Sequence, residues 1–267
     1  EATSFVSARW GPQRGDAGEA LRSPRLTLPE GRGRSPVLSA LVPNSKGMTA
    51  FLEHFTAGHV DKVAVFAAAS ETFSLRNTNG TIAEVLGRFV PVIAEAHRIG
   101  APVRGYVSCA IACPFEGPIA PERVADVAGR LAEAGVDEID LGDTIGAGTA
   151  ETVGEMLRAV GVRLGEWARR EPYRVTLHLH DTFGRASECV GAALALGVRS
   201  FDGSVAGLGG CPYASTPERR APGNISTETL VRTVHDAGFV TGVDLGKLEV
   251  AAAFARELVA RNRSVAR

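Results

Sequence analysis

Paired cysteines, long apolar runs and an excess of either charge are all missing from this chain of 267 residues. Its four cysteines, Cys109, Cys113, Cys189 and Cys211, are too few to staple a chain this long, and none forms a CxxC pair. A disulfide framework and a structural zinc ribbon are therefore excluded, and free thiols are expected. No apolar run reaches the roughly 18 residues of a helical membrane span. The opening Glu1-Ala2-Thr3-Ser4 has neither the basic nor the apolar part of a signal peptide. Lys and Arg number 29 against 30 Asp and Glu, a net charge of -1. That balance gives no footing for nucleic acid or an anionic membrane as the main partner. The chain reads as a cytoplasmic protein acting on a small molecule.

What is present is enough to bury one sizeable core: 45% of residues are hydrophobic and 22% charged. Short β-branched or apolar runs recur at Ala2 to Val6, Val37 to Val42, Lys62 to Ala68, Val103 to Cys109, Glu138 to Asp143, Val175 to His180 and Ser200 to Val205. Between them lie segments with apolar residues at helical spacing, among them Ile82 to His97, Pro121 to Ala134 and Ala186 to Leu196. Strand and helix alternate with a period of about 30 residues, which predicts an α/β protein with a parallel sheet, best matched by a (β/α)₈ TIM barrel. A doubly wound open sheet is the competing architecture. Seven strands are one short of closure, and the first begins with the chain itself at a residue other than Met. The expectation is a single catalytic barrel domain over 1–267, incomplete at its N-terminus. Gly11 to Ser35, irregular and rich in Arg, Gly and Pro, reads as a solvated loop around one short helix.

His178-Leu179-His180-Asp181 closes the sixth candidate strand. Residues i and i+2 of a strand share a face, so both imidazoles project together while Leu179 points away. Two nitrogen donors at the C-terminal mouth of a barrel suit a divalent metal, and the alternative is a hydrogen-bonded pair at a strand end. Asp143 closes the fifth strand and Asn224 follows the last. Each is either a site residue or a local feature, a helix cap for Asp143 and a turn former for Asn224. Glu1 falls at the base of its strand or within the barrel. Val205 to Ala214 is a glycine-rich turn that carries Cys211 directly before a proline. Cys211 is a candidate acid, base or nucleophile on a mobile loop, or else an inert thiol. The loop lacks the spacing of a nucleotide cradle. Arg104, Tyr106 and Cys109 are read as sharing one face of the fourth strand, as site groups or as barrel filling.

Taken in order, seven stretches resemble the hydroxymethylglutaryl-CoA lyase family. They are Glu-Ala-Thr-Ser-Phe-Val-Ser from Glu1, Phe-Ala-Ala-Ala-Ser-Glu from Phe66, Val-Arg-Gly-Tyr-Val-Ser-Cys from Val103, Cys-Pro-Phe-Glu-Gly from Cys113, Leu-Gly-Asp-Thr-Ile-Gly from Leu141, His-Leu-His-Asp-Thr-Phe-Gly from His178 and Ala-Gly-Leu-Gly-Gly-Cys-Pro-Tyr-Ala from Ala206. The resemblance implies a metal-dependent TIM-barrel lyase acting on an acyl-CoA, in leucine degradation or ketone-body metabolism, and a homodimer or larger assembly. It makes His178, His180 and Asn224 ligands of a divalent cation, Mg or Mn. Cys211, His178, Asp143 and Glu1 become the catalytic set, with His178 and Asp143 assisting removal or orientation of the hydroxyl proton, Cys211 protonating the departing enolate and Glu1 matching an active-site glutamate of the family. Arg9 and Lys46 are the basic residues singled out for the CoA phosphates. Two departures stand out. The family's first-strand Arg-Asp pair has no counterpart in this sequence, and Ser215 to Ala221 lengthens the run from Cys211 to Asn224. The alternatives are a related barrel aldolase or acyl-CoA Claisen-type synthase, or a catalytically silent homologue.

Overall fold

The structure, a computed structural model, describes residues 1–6, 16–22, 36–169, 174–210 and 223–265. Nine strands are present among them: β1 (Thr3–Ser4), β2 (Ser39–Leu41), β3 (Lys62–Ala68), β4 (Val103–Ser108), β5 (Ala112–Cys113), β6 (Gly117–Pro118), β7 (Glu138–Asp143), β8 (Val175–Leu179) and β9 (Ser200–Asp202). All but the small β5-β6 hairpin join one sheet of seven parallel strands in the order β1-β2-β3-β4-β7-β8-β9. All seven predicted strands are there. Their spatial order follows the chain without reversal, so the sheet is not doubly wound, which requires a switch point. Among the described residues β1 and β9 each pair on one side only.

Alternation along the strands separates two faces. Val63, Val65, Val103, Val107, Ile139, Leu141, Leu177 and Leu179 are at most 1% exposed and belong to one apolar cluster with helix residues such as Phe89, Leu131, Met156 and Val190. The opposite face carries Lys62, Arg104, Glu138, Asp140, Thr176, His178 and Asp202. Arg104 on β4 touches Asp202 on β9 at 3.1 Å, although β7 and β8 lie between them. Three strand spacings span about 14 Å on a flat sheet, so this polar face is concave. The result is a curled partial barrel with its apolar core between sheet and helices.

The helices start and stop where local chemistry requires. Thr81 and Glu84 form a reciprocal capping box at the start of helix Ile82–Arg98. Helix Pro121–Ala134 places proline in its first turn and ends at Gly135, whose φ of 103° a residue with a Cβ would resist. Helix Ala186–Ala195 follows β8. All three match the sequence periodicity to within a residue. The short helix expected between Gly11 and Ser35 is Ala17–Leu21, whose Ala17 and Leu21 are buried. Helix Leu245–Val265 closes the described chain.

Candidate functional site

β8 ends so that His178 and then His180 emerge on the concave face, while Leu177 and Leu179 anchor the strand on the other. The two Nε2 atoms converge to 3.3 Å, with ring centroids 5.2 Å apart and planes at 68°. Burial pushes the His180 pKa down to about 4, reinforced by neighbouring His178. Burial also lowers that of His178, opposed by Asp202 and reinforced by Arg104. Both imidazoles are therefore neutral at pH 7, the state in which a ring nitrogen can donate a lone pair.

Asn224 reaches the same point from a distant part of the sequence. It forms an antiparallel bridge with His180, flanked by Ile225 N–H donating to Leu179 O at 2.9 Å and Asp181 N–H donating to Gly223 O at 3.1 Å. Its Nδ2 donates to Leu208 O at 2.8 Å. The amide nitrogen is thereby committed, and the oxygen is left to face the histidines, both of which hydrogen-bond to this side chain. The glycines of the Val205–Gly210 segment permit this approach. Gly209 has φ 85°, and a Cβ placed on Gly223 would lie 1.7 Å from Gly209 O.

The other predicted site residues fall less simply. Asp143 is buried, but register pairs it with Leu179, on the helix side of the sheet. Its Oδ1 accepts from Ala147 N–H at 3.0 Å and its Oδ2 from Gly148 N–H at 2.8 Å. Burial raises its pKa against the pull of these donors. It also faces Cys189, a thiol that burial, and then Asp143, pushes up to about 12. The structure thus does not bring Asp143 together with the histidines. Glu1 lies two residues before the start of β1, close enough to Tyr106 to act on its hydroxyl. Lys46 is exposed in the first turn of helix Ser45–Thr56, just past the end of β2. Cys211 and Arg9 lie outside the described residues. The expectation that Cys109 shares a face with Arg104 and Tyr106 fails. Alternation pairs 104 with 106 and 108, and Cys109 stands beyond β4 with a left-handed φ of 58°.

Below the histidines lies a polar cluster that the sequence reading did not assemble. Arg104 Nε donates to Glu138 Oε1 at 2.6 Å and its Nη1 to Asp140 at 3.0 Å and to both oxygens of Asp202 at 3.1 Å. Lys62 Nζ completes it on Glu138 at 2.6 Å. Burial and the adjacent Asp202 raise the Asp140 pKa, against the pull of Arg104. Burial opposes ionisation of Asp202 as well, yet hydrogen bonding to Asp140 and the charge of Arg104 keep its pKa below the ordinary range. Two basic side chains thus stand among three carboxyl groups in a largely buried setting. The available signal was charge at i and i+2 in Glu138-Ile139-Asp140, on a strand whose intervening residues are core.

Among the described residues no three His, Cys, Asp or Glu side chains converge as a metal cage. The donor set is two imidazole nitrogens and one amide oxygen, which suits a divalent cation that also takes oxygen from substrate or water. Two ligand nitrogens about 2.1 Å from one ion and near a right angle sit ~3 Å apart, and the observed 3.3 Å fits that spacing.

Comparison with known proteins places the chain among lyases. The family model described as HMGL-like matches residues 32–254. A protein named hydroxymethylglutaryl-CoA lyase from Pseudomonas mevalonii is 47% identical over 266 residues, covering 99% of this chain and 81% of the relative. A rat protein named 3-hydroxy-3-methylglutaryl-CoA lyase, cytoplasmic, is 42% identical, over 95% of this chain and 68% of its own. The crystal structure of the HMG-CoA lyase from Brucella melitensis superposes with a TM-score of 0.83 at 43% identity, covering 97% of this chain and 84% of that one.

Proposed function

The chain belongs to the HMGL-like family, and on that basis we infer that it is a carbon–carbon lyase cleaving 3-hydroxy-3-methylglutaryl-CoA to acetyl-CoA and acetoacetate. The observation that carries the site assignment is the convergence of His178 and His180, with Asn224 pinned beside them. These three residues are the ones we assign to a divalent cation, Mg or Mn. Bound there, such an ion supplies Lewis acidity that eases loss of a proton from the substrate hydroxyl.

The protein's own groups then have separable tasks. His178 and His180, held neutral by burial, present nitrogen lone pairs and stay fixed because their strand is anchored through Leu177 and Leu179. Asp143 is committed to two backbone donors and holds the turn after β7 in place. Glu1, in place of Asp143, is the carboxylate we assign to the hydroxyl proton. As that proton leaves, the oxygen's electron pair forms the ketone of acetoacetate and the C2–C3 pair moves into the thioester enolate. Cys211 is assigned the proton that converts this enolate to acetyl-CoA. We take residues 1–267 to belong to a single catalytic domain that works in the cytoplasm as a homodimer or larger homo-oligomer, which light scattering and cell fractionation would read.

The test is release of acetoacetate from hydroxymethylglutaryl-CoA in the presence of Mg or Mn, beside shorter and longer 3-hydroxyacyl-CoA analogues. Turnover that prefers hydroxymethylglutaryl-CoA and vanishes in His180→Ala supports the reading. Preference for an analogue would overturn the substrate, and full activity in His180→Ala would overturn the metal site.

A further inference from the structure

The Nδ1 atom of His178 is buried and makes no hydrogen bond, although the side chain as a whole is 30% exposed. A carboxylate stands beside it. Asp202 Oδ2 lies 3.8 Å from Nδ1, and β8–β9 pairing places His178 and Asp202 side by side on the concave face. Asp202 has little freedom to turn elsewhere. Both its oxygens receive Arg104 Nη1 at 3.1 Å, and Arg104 is itself fixed through Nε on Glu138 and Nη1 on Asp140. His180 Nδ1 is likewise buried without a partner, but the further group acting on its ring, beyond His178 and Asn224, is the Thr144 backbone and not a carboxylate.

We propose that Asp202, clamped by Arg104, is a positioning residue for His178. It accepts the Nδ1–H of that ring and so turns the Nε2 lone pair toward the point shared with His180 and Asn224. The gap of 3.8 Å is longer than a hydrogen bond and too short for a bridging water, which needs roughly 5 Å between the two heavy atoms, so a small rotation of the imidazole closes it. A neutral imidazole carries one ring proton. Fixing it on Nδ1 leaves Nε2 as the donor to a cation, and a charged acceptor raises the basicity of that nitrogen. Lys62 and Glu138 extend the scaffold without touching the histidine. This inference rests on the metal reading above and adds to it a residue outside the ligand set.

Manganese binding separates the two, read from the electron paramagnetic resonance of free Mn²⁺. The parent chain should bind the ion, and His178→Ala should lose it; a parent that binds nothing, or a His178→Ala protein that binds equally well, overturns the metal reading itself. Asp202→Ala should weaken Mn²⁺ binding about 10- to 100-fold, and Asp202→Asn, which keeps an acceptor oxygen, should recover part of that loss. A melting temperature lowered in both variants with an unchanged Mn²⁺ dissociation constant would mean that Asp202 is only part of the fold. Should Asp202→Ala fail to fold, the Mg-loaded parent decides by proton NMR. The Nδ1 proton of His178 should be further downfield than that of His180 and slow to exchange, and equivalence of the two would overturn the proposal.

Discussion

Replacing Gly223 with alanine tests the placement of Asn224 directly. The added Cβ would fall 1.7 Å from Gly209 O, and a carbon and a carbonyl oxygen cannot approach closer than about 3 Å. The two segments must part by more than about 1 Å, and Asn224, next along the chain, moves with Gly223. Overpacking of this kind typically destabilises by about 1–3 kcal/mol. The functional penalty is larger, because displacing a site group by ~1 Å costs on the order of 10²-fold in rate. The expected outcome for Gly223→Ala is a folded protein with a modestly lowered melting temperature, weakened Mn²⁺ binding and acetoacetate release reduced about 10²-fold. Gly161→Ala, in the exposed interior of helix Ala150–Leu164 where an added Cβ meets nothing within 4 Å, is the control. It should stabilise by about 0.5–1 kcal/mol and leave turnover alone. If Gly223→Ala keeps parental Mn²⁺ affinity and turnover within threefold, the close approach of these two segments is not what positions Asn224.

Three other substitutions probe the scaffold. Arg104→Met removes the cation shared by Glu138, Asp140 and Asp202, and should lower stability by about 3–5 kcal/mol in urea titration by stranding buried carboxylates; a loss below 1 kcal/mol would refute the charge assignment. Glu116 accepts from Ser70 Oγ and Thr72 N–H. Burial alone would raise its pKa, but these donors, with Arg123, bring it down to about 2 from an unfolded 4.5. Stability from this group is fully present above pH 4.5 and is lost as pH falls toward 2. Allowing for solvent screening, the deficit of Glu116→Gln should be about 1–2 kcal/mol at pH 7 and vanish near pH 2; a deficit independent of pH would count against the shift. Leu177→Ala opens a cavity at a position 1% exposed, with an expected loss of about 2–5 kcal/mol by calorimetry; an equally stable variant would mean that β8 is not anchored there.

The strands were legible as short β-branched or apolar runs recurring between helical segments, as in Lys62 to Ala68 and Val175 to His180. The His-x-His pair was legible because residues two apart on a strand share a face. Asn224 could be singled out, but its meeting with His180 depends on a bridge between segments 44 residues apart in the sequence, which no local rule predicts. Asp143 shows the converse. Its type and place at a strand end suggested chemistry, and one step of parity turned it to the helix side, onto backbone donors. The small hairpin Ala112–Cys113 with Gly117–Pro118 left no periodic signal, since two residues per strand are too few to show one.

In β8 the alternation Thr176, Leu177, His178, Leu179, His180 assigns adjacent residues to opposite duties. Leu177 and Leu179 answer to the packing of helices, while Thr176, His178 and His180 answer to whatever occupies the hollow. The two sets share a backbone but few neighbours, so changes in one are only weakly coupled in free energy to changes in the other. A lineage carrying this sheet can therefore exchange the groups that line the hollow, and with them the molecule it accepts, while the shell beneath continues to fold as before.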